Sequence, residues 1–454
     1  MNRQLSSAEI NYVFYHLEIY YDGFANIRKY FIFQRLKSRI NENKIIFYLS
    51  DKTLDCKSVK YIDNIPILYP LYDEPRIFTW DGNNLNFNDD LLKSSFYLLS
   101  GYQETKSEVQ RDNWDRFPYK ESIQKRLDIT TIPVVNYYFK WIIDGINFFL
   151  FHNNLNLIKM KECFKFTFFL SHDVDRISYY NHHIFKAKLK KLYAKKNLSG
   201  LMALWKYSLQ YLSLKRHKDP YWNFNTLINI EKSRNCHSSY FFLNRDVKHL
   251  DSYYKFSDLH ICNLILQLKD EGMEIGLHGS VNSYLNKDLL SKHKQSLESV
   301  IGESCHGIRQ HRLIYKHPET ALYHEETKFT YDTSLGFSEN VGFRNGFCRP
   351  FKPFNHIEQQ IINIWEIPLM VMDGTLFNYQ KLDYMNAEKL LSNMLSEVIK
   401  FNGIFSMLWH NNFLNEIEYP GIESFYIKTI DKILSLSPLV QTGIEIIRNI
   451  PIAE

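Results

Sequence analysis

The sequence predicts an α/β protein in which short apolar strands alternate with amphipathic helices over the C-terminal two-thirds, behind a smaller α+β region. Three observations predict it. Short apolar runs recur from FKFTFFL at 164–170 onward. Between them lie stretches such as LHICNLILQLKDEG at 259–272 and LLSKHKQSLESVIG at 289–302, whose apolar residues recur at helical spacing. Both stretches close on glycine, Gly272 and Gly302, the residue that best accepts the left-handed turn of a helix stop. Strand, helix, strand in one sheet winds right-handed, and its repetition builds a parallel sheet or barrel.

The elements follow in order. KIIFYLS at 44–50 and IPILYPL at 65–71 read as strands, and DDLLKSSFYLLSGYQE at 89–104 reads as a helix. Nothing before residue 155 clusters His, Cys or acids at useful spacing. At 454 residues the chain exceeds what one core usually serves, so the boundary is set near 155: an α+β domain of unknown role at 1–155 and an α/β domain at 156–454. In the second domain SSYFFL (238–243), MEIGL (273–277), HGIRQH (306–311), IINIWEIPLMVMD (361–373) and IFSMLWH (404–410) supply strands, with AEKLLSNMLSEVIKFNG (387–403) as a further helix.

Composition narrows the function. Hydrophobic residues at 45 % and charged residues at 23 % suit a folded globular chain. A net charge of +5 spread over this length lacks the concentrated basic face of a nucleic-acid binder. One basic stretch, KAKLKKLYAKK at 186–196, reads as a solvated helix face or a contact for an acidic partner. No run has the length of a membrane span and the first residues lack a signal-peptide core, so the expected location is cytoplasmic. Six scattered cysteines without a C-x-x-C pair predict reduced thiols. Phosphate-binding glycine loops, nucleophile elbows and dinucleotide fingerprints are missing from the sequence.

Polar residues follow the predicted strands at their carboxyl ends, where parallel α/β folds gather catalytic groups. FKFTFFL runs into Ser171-His172-Asp173-Val174-Asp175, MEIGL into His278-Gly279-Ser280-Val281-Asn282, HGI into Arg309-Gln310-His311, and IFSMLW into His410-Asn411-Asn412. Two aspartates two residues apart suit divided labour, one ligating a metal and the other free as a base.

The region from about 165 to 412 resembles the polysaccharide deacetylases, carbohydrate esterase family four. The ordered set SHDVD, EIGLHGSVN, GIRQH, KFTYDTSLGF, WEIPL and SMLWH carries the likeness. The N-terminal region and GFRNGFCRPF at 342–351 resemble a branch found with bacterial surface-polysaccharide genes, such as those for lipopolysaccharide or capsule.

The resemblance implies an irregular, TIM-like (β/α) barrel of about seven strands. It implies hydrolysis of an N-acetyl group from an acetamido sugar or glycan precursor with one divalent ion, zinc first among the candidates. It further implies Asp173 as base, Asp175 and His278 as metal ligands, Arg309 as the partner that holds Asp173, and His410 as general acid. The family's second metal histidine falls on Asn282, which leaves three readings open: Asn282 ligates weakly, His172 or His311 supplies the imidazole, or the site is inactive. Arg344 and Arg349, among glycines and aromatics, suit either a carboxylate- or phosphate-bearing sugar or a tight loop whose arginines pair with local acids. Asp332 suits orientation of Arg309 or of a substrate hydroxyl, and His172 and His311 are further candidates for substrate contact. The alternatives are an inactive carbohydrate-binding or scaffold protein, and a barrel hydrolase of a non-sugar amide.

Overall fold

A computed structural model describes residues 2–37, 42–179, 219–247 and 250–451, with a few positions between 186 and 205. Most of the basic stretch at 186–196 lies outside the described residues.

The C-terminal region is built on one sheet. Its strands are β1 (Thr167–Val174), β2 (Ser239–Leu243), β3 (Glu274–Gly279), β4 (Gly307–Gln310), β5 (Tyr331–Asp332), β6 (Trp365–Glu366), β7 (Val371–Met372), β8 (Ile404–Leu408) and β9 (Leu439–Val440). They lie side by side in the order β6-β5-β4-β3-β2-β1-β8-β7, with β9 also on β1, and every pairing is parallel. The central strands β1, β2 and β8 are buried at every residue, as parallel strands covered on both faces must be.

The sheet has to curl. Its two edges, β6 and β7, are separated in sequence only by Ile367-Pro368-Leu369-Met370, a link that reaches at most ~17 Å. Eight flat strands would hold their edges roughly 34 Å apart. The result is an irregular (β/α) barrel, as expected, with eight strands around it instead of about seven. The run IINIWEIPLMVMD was expected to form one strand, yet it supplies both edges. Pro368 has no N–H for a ladder, and the chain uses this break to cross from one edge to the other. Met370 N donates to Ser406 Oγ on β8 at 3.0 Å, and Ile367 N to the Asp332 carbonyl on β5 at 2.9 Å.

Helices α1 (Phe224–Lys232), α2 (Leu259–Asp270), α3 (Lys287–Ile301), α4 (Glu319–Glu326), α5 (Tyr384–Lys400) and α6 (Ile422–Leu434) cover the outside. Their ends carry the expected chemistry. Asn286 caps α3 by accepting from Leu289 N, Asp383 caps α5 by accepting from Asn386 N, and Gly302 ends α3 at φ 72°. All six cysteines are free. Among the described residues no helix is long and apolar enough to cross a membrane.

The N-terminal region has its own four-stranded sheet, ordered Phe31–Gln34, Ile45–Tyr48, Leu85–Phe87 and Phe78–Trp80, with helices Ser7–Tyr20, Leu91–Leu99 and Val134–His152. It packs on the barrel through the GFRNGFCRPF segment. Phe343 N donates to the Thr130 carbonyl at 2.7 Å, Val135 N to the Gly346 carbonyl at 2.8 Å, and Cys348 N to Asn136 Oδ1 at 3.0 Å. Gly342 sits at φ 130°, and a Cβ there would run into the Thr130 backbone.

This packing corrects the expectation for the two arginines of that segment. Arg344 is buried and forks onto Glu104 of the N-terminal region at 2.6 and 2.9 Å. Arg349 is buried against the Tyr20 ring and donates to the Phe401 carbonyl. Neither reaches solvent, so both guanidiniums join the two regions and are not available to a sugar. Arg344→Ala would strand a buried carboxylate, a change that costs about 3–5 kcal/mol. Chemical denaturation should show that loss, and Glu104→Gln in the same chain should restore part of it.

Candidate metal centre and surrounding pocket

Four strands of the barrel end on one pocket of about 270 Å³, at the low end of ligand-site volumes. β1 delivers Asp173 and, one turn of the pleat later, Asp175. β3 delivers His278, the loop after β4 delivers His311, and the loop after β8 delivers His410. β3 and β4 pair in register with His278 opposite Arg309, which brings these strand ends level.

Asp175, His278 and His311 form a compact donor set whose ligand atoms all lie within 4.8 Å of one another. His278 Nδ1 lies 2.8 Å from the Arg309 carbonyl. A carbonyl only accepts, so this nitrogen carries the proton and Nε2 of the neutral ring presents a lone pair. His311 is fixed likewise by its Nε2 on the Leu250 carbonyl at 3.1 Å, leaving Nδ1 as the open donor. The two lone-pair nitrogens then face each other at 3.1 Å. Both also face Asp175 Oδ1, at 3.3 and 3.4 Å, a buried oxygen with no hydrogen-bond donor aimed at it among the described residues.

Three electron-rich atoms so placed repel one another unless a positive charge stands between them. Atoms ~2.0–2.2 Å from a tetrahedral zinc ion stand roughly 3.3–3.6 Å apart, close to the separations found. Two imidazoles and one carboxylate, with a position left open, are the donor set of a catalytic zinc site. Burial pushes the Asp175 carboxyl up, but His311 and His278 outweigh it and hold it well below the ordinary value. Burial pulls His278 down, and Asp173 and Asp175 raise it above the ordinary value. A proton and a metal ion therefore compete for one place.

Asn282 is not part of this set. It is exposed and donates to Asp246 Oδ2 at 2.9 Å. The chain turns into a short helix at Ser283 directly after it, which carries the amide away from the pocket. Of the two histidines considered in its place, His311 joins the donors. His172 is fully buried between the Trp409 carbonyl at 2.7 Å and Glu231 at 2.9 Å. Neighbouring strand residues point to opposite faces, so His172 turns away where Asp173 turns in.

Asp173 is held apart from the donors by Arg309, whose Nη1 lies 2.8 Å from Oδ1. Arg309 spends its other donors on Ser171 Oγ and on Thr333. Burial raises the Asp173 carboxyl, and the charges of His278, Arg309 and His410 overcome that and hold it below the ordinary value. Its free oxygen, Oδ2, lies 3.5 Å from His278 Nε2 and 4.0 Å from His410 Nε2. On the far wall His410 Nδ1 donates to Asp373 Oδ1 at 2.7 Å. Burial lowers His410, but Asp373, then Asp175 and Asp173, push it up to about 10.

Asp332 lies elsewhere. It is buried on β5, where its Oδ2 accepts from His324 of α4 at 2.9 Å and its Oδ1 from Ser334. Arg309 bonds the neighbouring Thr333 instead, so the expected role of Asp332 is corrected to a buried structural link.

The pocket also takes residues that sequence reasoning passed over: Arg176, Arg312 and Tyr379 from the barrel, and Trp114 and Arg116 from the N-terminal region. Arg176 and Arg312 each stand one position beyond a strand-end motif, so reading one residue further would have found them. Nothing in the sequence marks Trp114 or Arg116. The loop carrying Arg312 is strained, with Arg312 at φ 60° and Leu313 at φ 56°, and left-handed non-glycine residues cost about 1–3 kcal/mol each. Arg116 braces it by donating to the Arg312 carbonyl at 2.9 Å while paired with Asp112 at 2.7 Å.

Residues 5–151 match a family of unknown function, DUF7033. No curated protein sequence matches the chain. Similar solved structures include a protein of Mycobacterium smegmatis assigned as a polysaccharide deacetylase, 16 % identical, with 63 % of this chain and 91 % of that one covered and a TM-score of 0.41. They also include a Puue allantoinase, 10 % identical, covering 62 % and 89 %, with a TM-score of 0.39. A third is a probable polysaccharide deacetylase of Pseudomonas aeruginosa PAO1, 12 % identical, covering 62 % and 90 %, with a TM-score of 0.42. Distant likenesses of this kind do not decide an activity, which has to be argued from the residues in place.

Proposed function

We propose that the chain is a metal-dependent deacetylase that hydrolyses the N-acetyl group of an acetamido sugar in a surface glycan or its precursor. The observation that carries this reading is the three-donor set of Asp175, His278 and His311 beside an Arg-held aspartate and an Asp-held histidine. Asp175, His278 and His311 would hold one divalent ion, for which zinc fits the imidazole-rich set. Such an ion supplies positive charge that polarises an acetamide carbonyl and acidifies water.

The chain's own groups divide the remaining proton transfers. Asp173, kept ionised by Arg309, accepts a proton at Oδ2 from the attacking water. His410, kept protonated by Asp373, gives its Nε2 proton to the departing amine, because a neutral amine leaves far more readily than an amide anion. The ordered motifs from SHDVD to SMLWH, similar to those of the polysaccharide deacetylases, support the same reading. The inactive alternative was motivated by Asn282 standing where the family has its second metal histidine, and the place of His311 beside Asp175 and His278 supports the active reading.

The test is mass spectrometry of acetamido sugars after incubation with zinc-loaded protein. Loss of one acetyl group, with acetate released in equal amount, is the expected result. Unchanged sugars alongside hydrolysis of a non-sugar amide would replace this reading with another.

A further inference from the structure

Charge around the pocket does not balance. Asp173 is matched by Arg309, Asp373 by His410 and Arg116 by Asp112, while Asp175 faces the two imidazoles. Arg176 and Arg312 are left over: among the described residues neither forms an ion pair with a carboxylate. Arg176 Nη1 and Arg312 Nε are buried and have no hydrogen-bond partner there, although both residues line the pocket.

Both guanidiniums are nonetheless held in place. Arg312 lies 4.0 Å from the centroid of the Trp114 ring and Arg176 4.7 Å from that of Tyr253. Stacking on an aromatic face fixes the plane of a guanidinium without using its in-plane N–H groups. Among the described residues Arg176 keeps its in-plane donors, and Arg312, whose Nη2 donates to the Leu250 carbonyl at 3.3 Å, keeps Nε and Nη1, so each offers rigidly held N–H groups of the kind that bind phosphate or carboxylate oxygens. Arg309 and Arg344 form the contrast, since both spend their donors inside the protein.

We propose that Arg176 and Arg312 form an oxyanion-group subsite beside the metal-capable cluster, so that the substrate is an acetamido sugar bearing a phosphate or a carboxylate. The anion subsite stands on the arginines alone, and only the sugar part rests on the deacetylase reading. Trp114 and Arg116 give the N-terminal region its part in this subsite, by stacking on Arg312 and holding its loop.

Calorimetric titration of the full zinc-loaded chain with inorganic phosphate tests the subsite without any turnover. Arg176→Gln and Arg312→Gln should each weaken phosphate by roughly 10- to 100-fold, and Arg176→Lys by less, because it keeps the charge without the fork. Phosphate binding that disappears on chelation yet is unchanged in both glutamine variants would place the anion on the metal and overturn the proposal. Turnover then tests the substrate class, with N-acetylglucosamine, its 1-phosphate and its uronic acid as probes. The anionic sugar should have the higher kcat/KM, and that preference should collapse in Arg176→Gln. Whichever anionic probe leads identifies phosphate or carboxylate as the source. Equal turnover of all three would reject the substrate class, whereas no turnover of any, with phosphate binding intact and arginine-dependent, would reject the deacetylase reading and leave the subsite standing.

Discussion

Protein purified with about one equivalent of divalent metal should lose it on His311→Ala and on Asp175→Ala, and keep it on Asn282→Ala. Removing a group that merely supports a ligand costs roughly 10–100-fold in affinity, and removing one of three ligands should cost more. His311 offers its Nδ1 at 3.1 Å from the His278 nitrogen, while Asn282 is exposed and bonded to Asp246. Elemental analysis of the three variants after dialysis decides the matter. A variant series in which Asn282→Ala empties the site and His311→Ala does not would reverse the ligand assignment made here. Acid should empty the site as well, because His278, raised by Asp173 and Asp175 against burial, takes up a proton where the ion would sit.

The second large effect concerns proton transfer. Asp173→Asn and His410→Ala should each lower kcat by ~10²–10⁴-fold with metal content unchanged, because neither is one of the three donors. Asp373→Asn is the more telling variant. Burial alone would lower His410, and Asp373 leads the charges that lift it to about 10. A raised value means that the acid form is present below it and is lost as pH rises through it, so activity should fall on the alkaline side. A metal ion nearby brings that limb down, and loss of the Asp373 charge should bring it further down, by more than one pH unit. A kcat–pH profile whose alkaline limb stays in place in Asp373→Asn would remove His410 from the role of acid.

Much of the site was legible because a parallel strand reports its own end. An apolar run that stops at a polar residue marks where the chain leaves the core, and in a parallel sheet these ends share one rim. Asp173, Asp175, His278, Arg309 and His410 could be named in this way from four short stretches. Arg344 and Arg349 were misread for the opposite reason. Arginines among glycines look available in a sequence, and only distant packing partners, Glu104 some 240 residues from Arg344 and the Tyr20 ring and Phe401 carbonyl for Arg349, reveal that they are consumed. Pro368 was visible, but that its run feeds both edges of the sheet was not, because edge position is a property of closure and not of the strand.

The sequence by itself determined the class of fold, the strand ends and the kind of chemistry they can support, since hydrophobic periodicity and residue type are local quantities. Tertiary structure alone decided which third donor joins Asp175 and His278, which pocket arginines have no carboxylate partner among the described residues, and that the N-terminal region reaches the pocket through Trp114 and Arg116. Those outcomes depend on the direction in which each loop leaves its strand. A short helix turns Asn282 outward, and a left-handed step just after His311 is held by residues two hundred positions earlier, a coupling that no local pattern encodes.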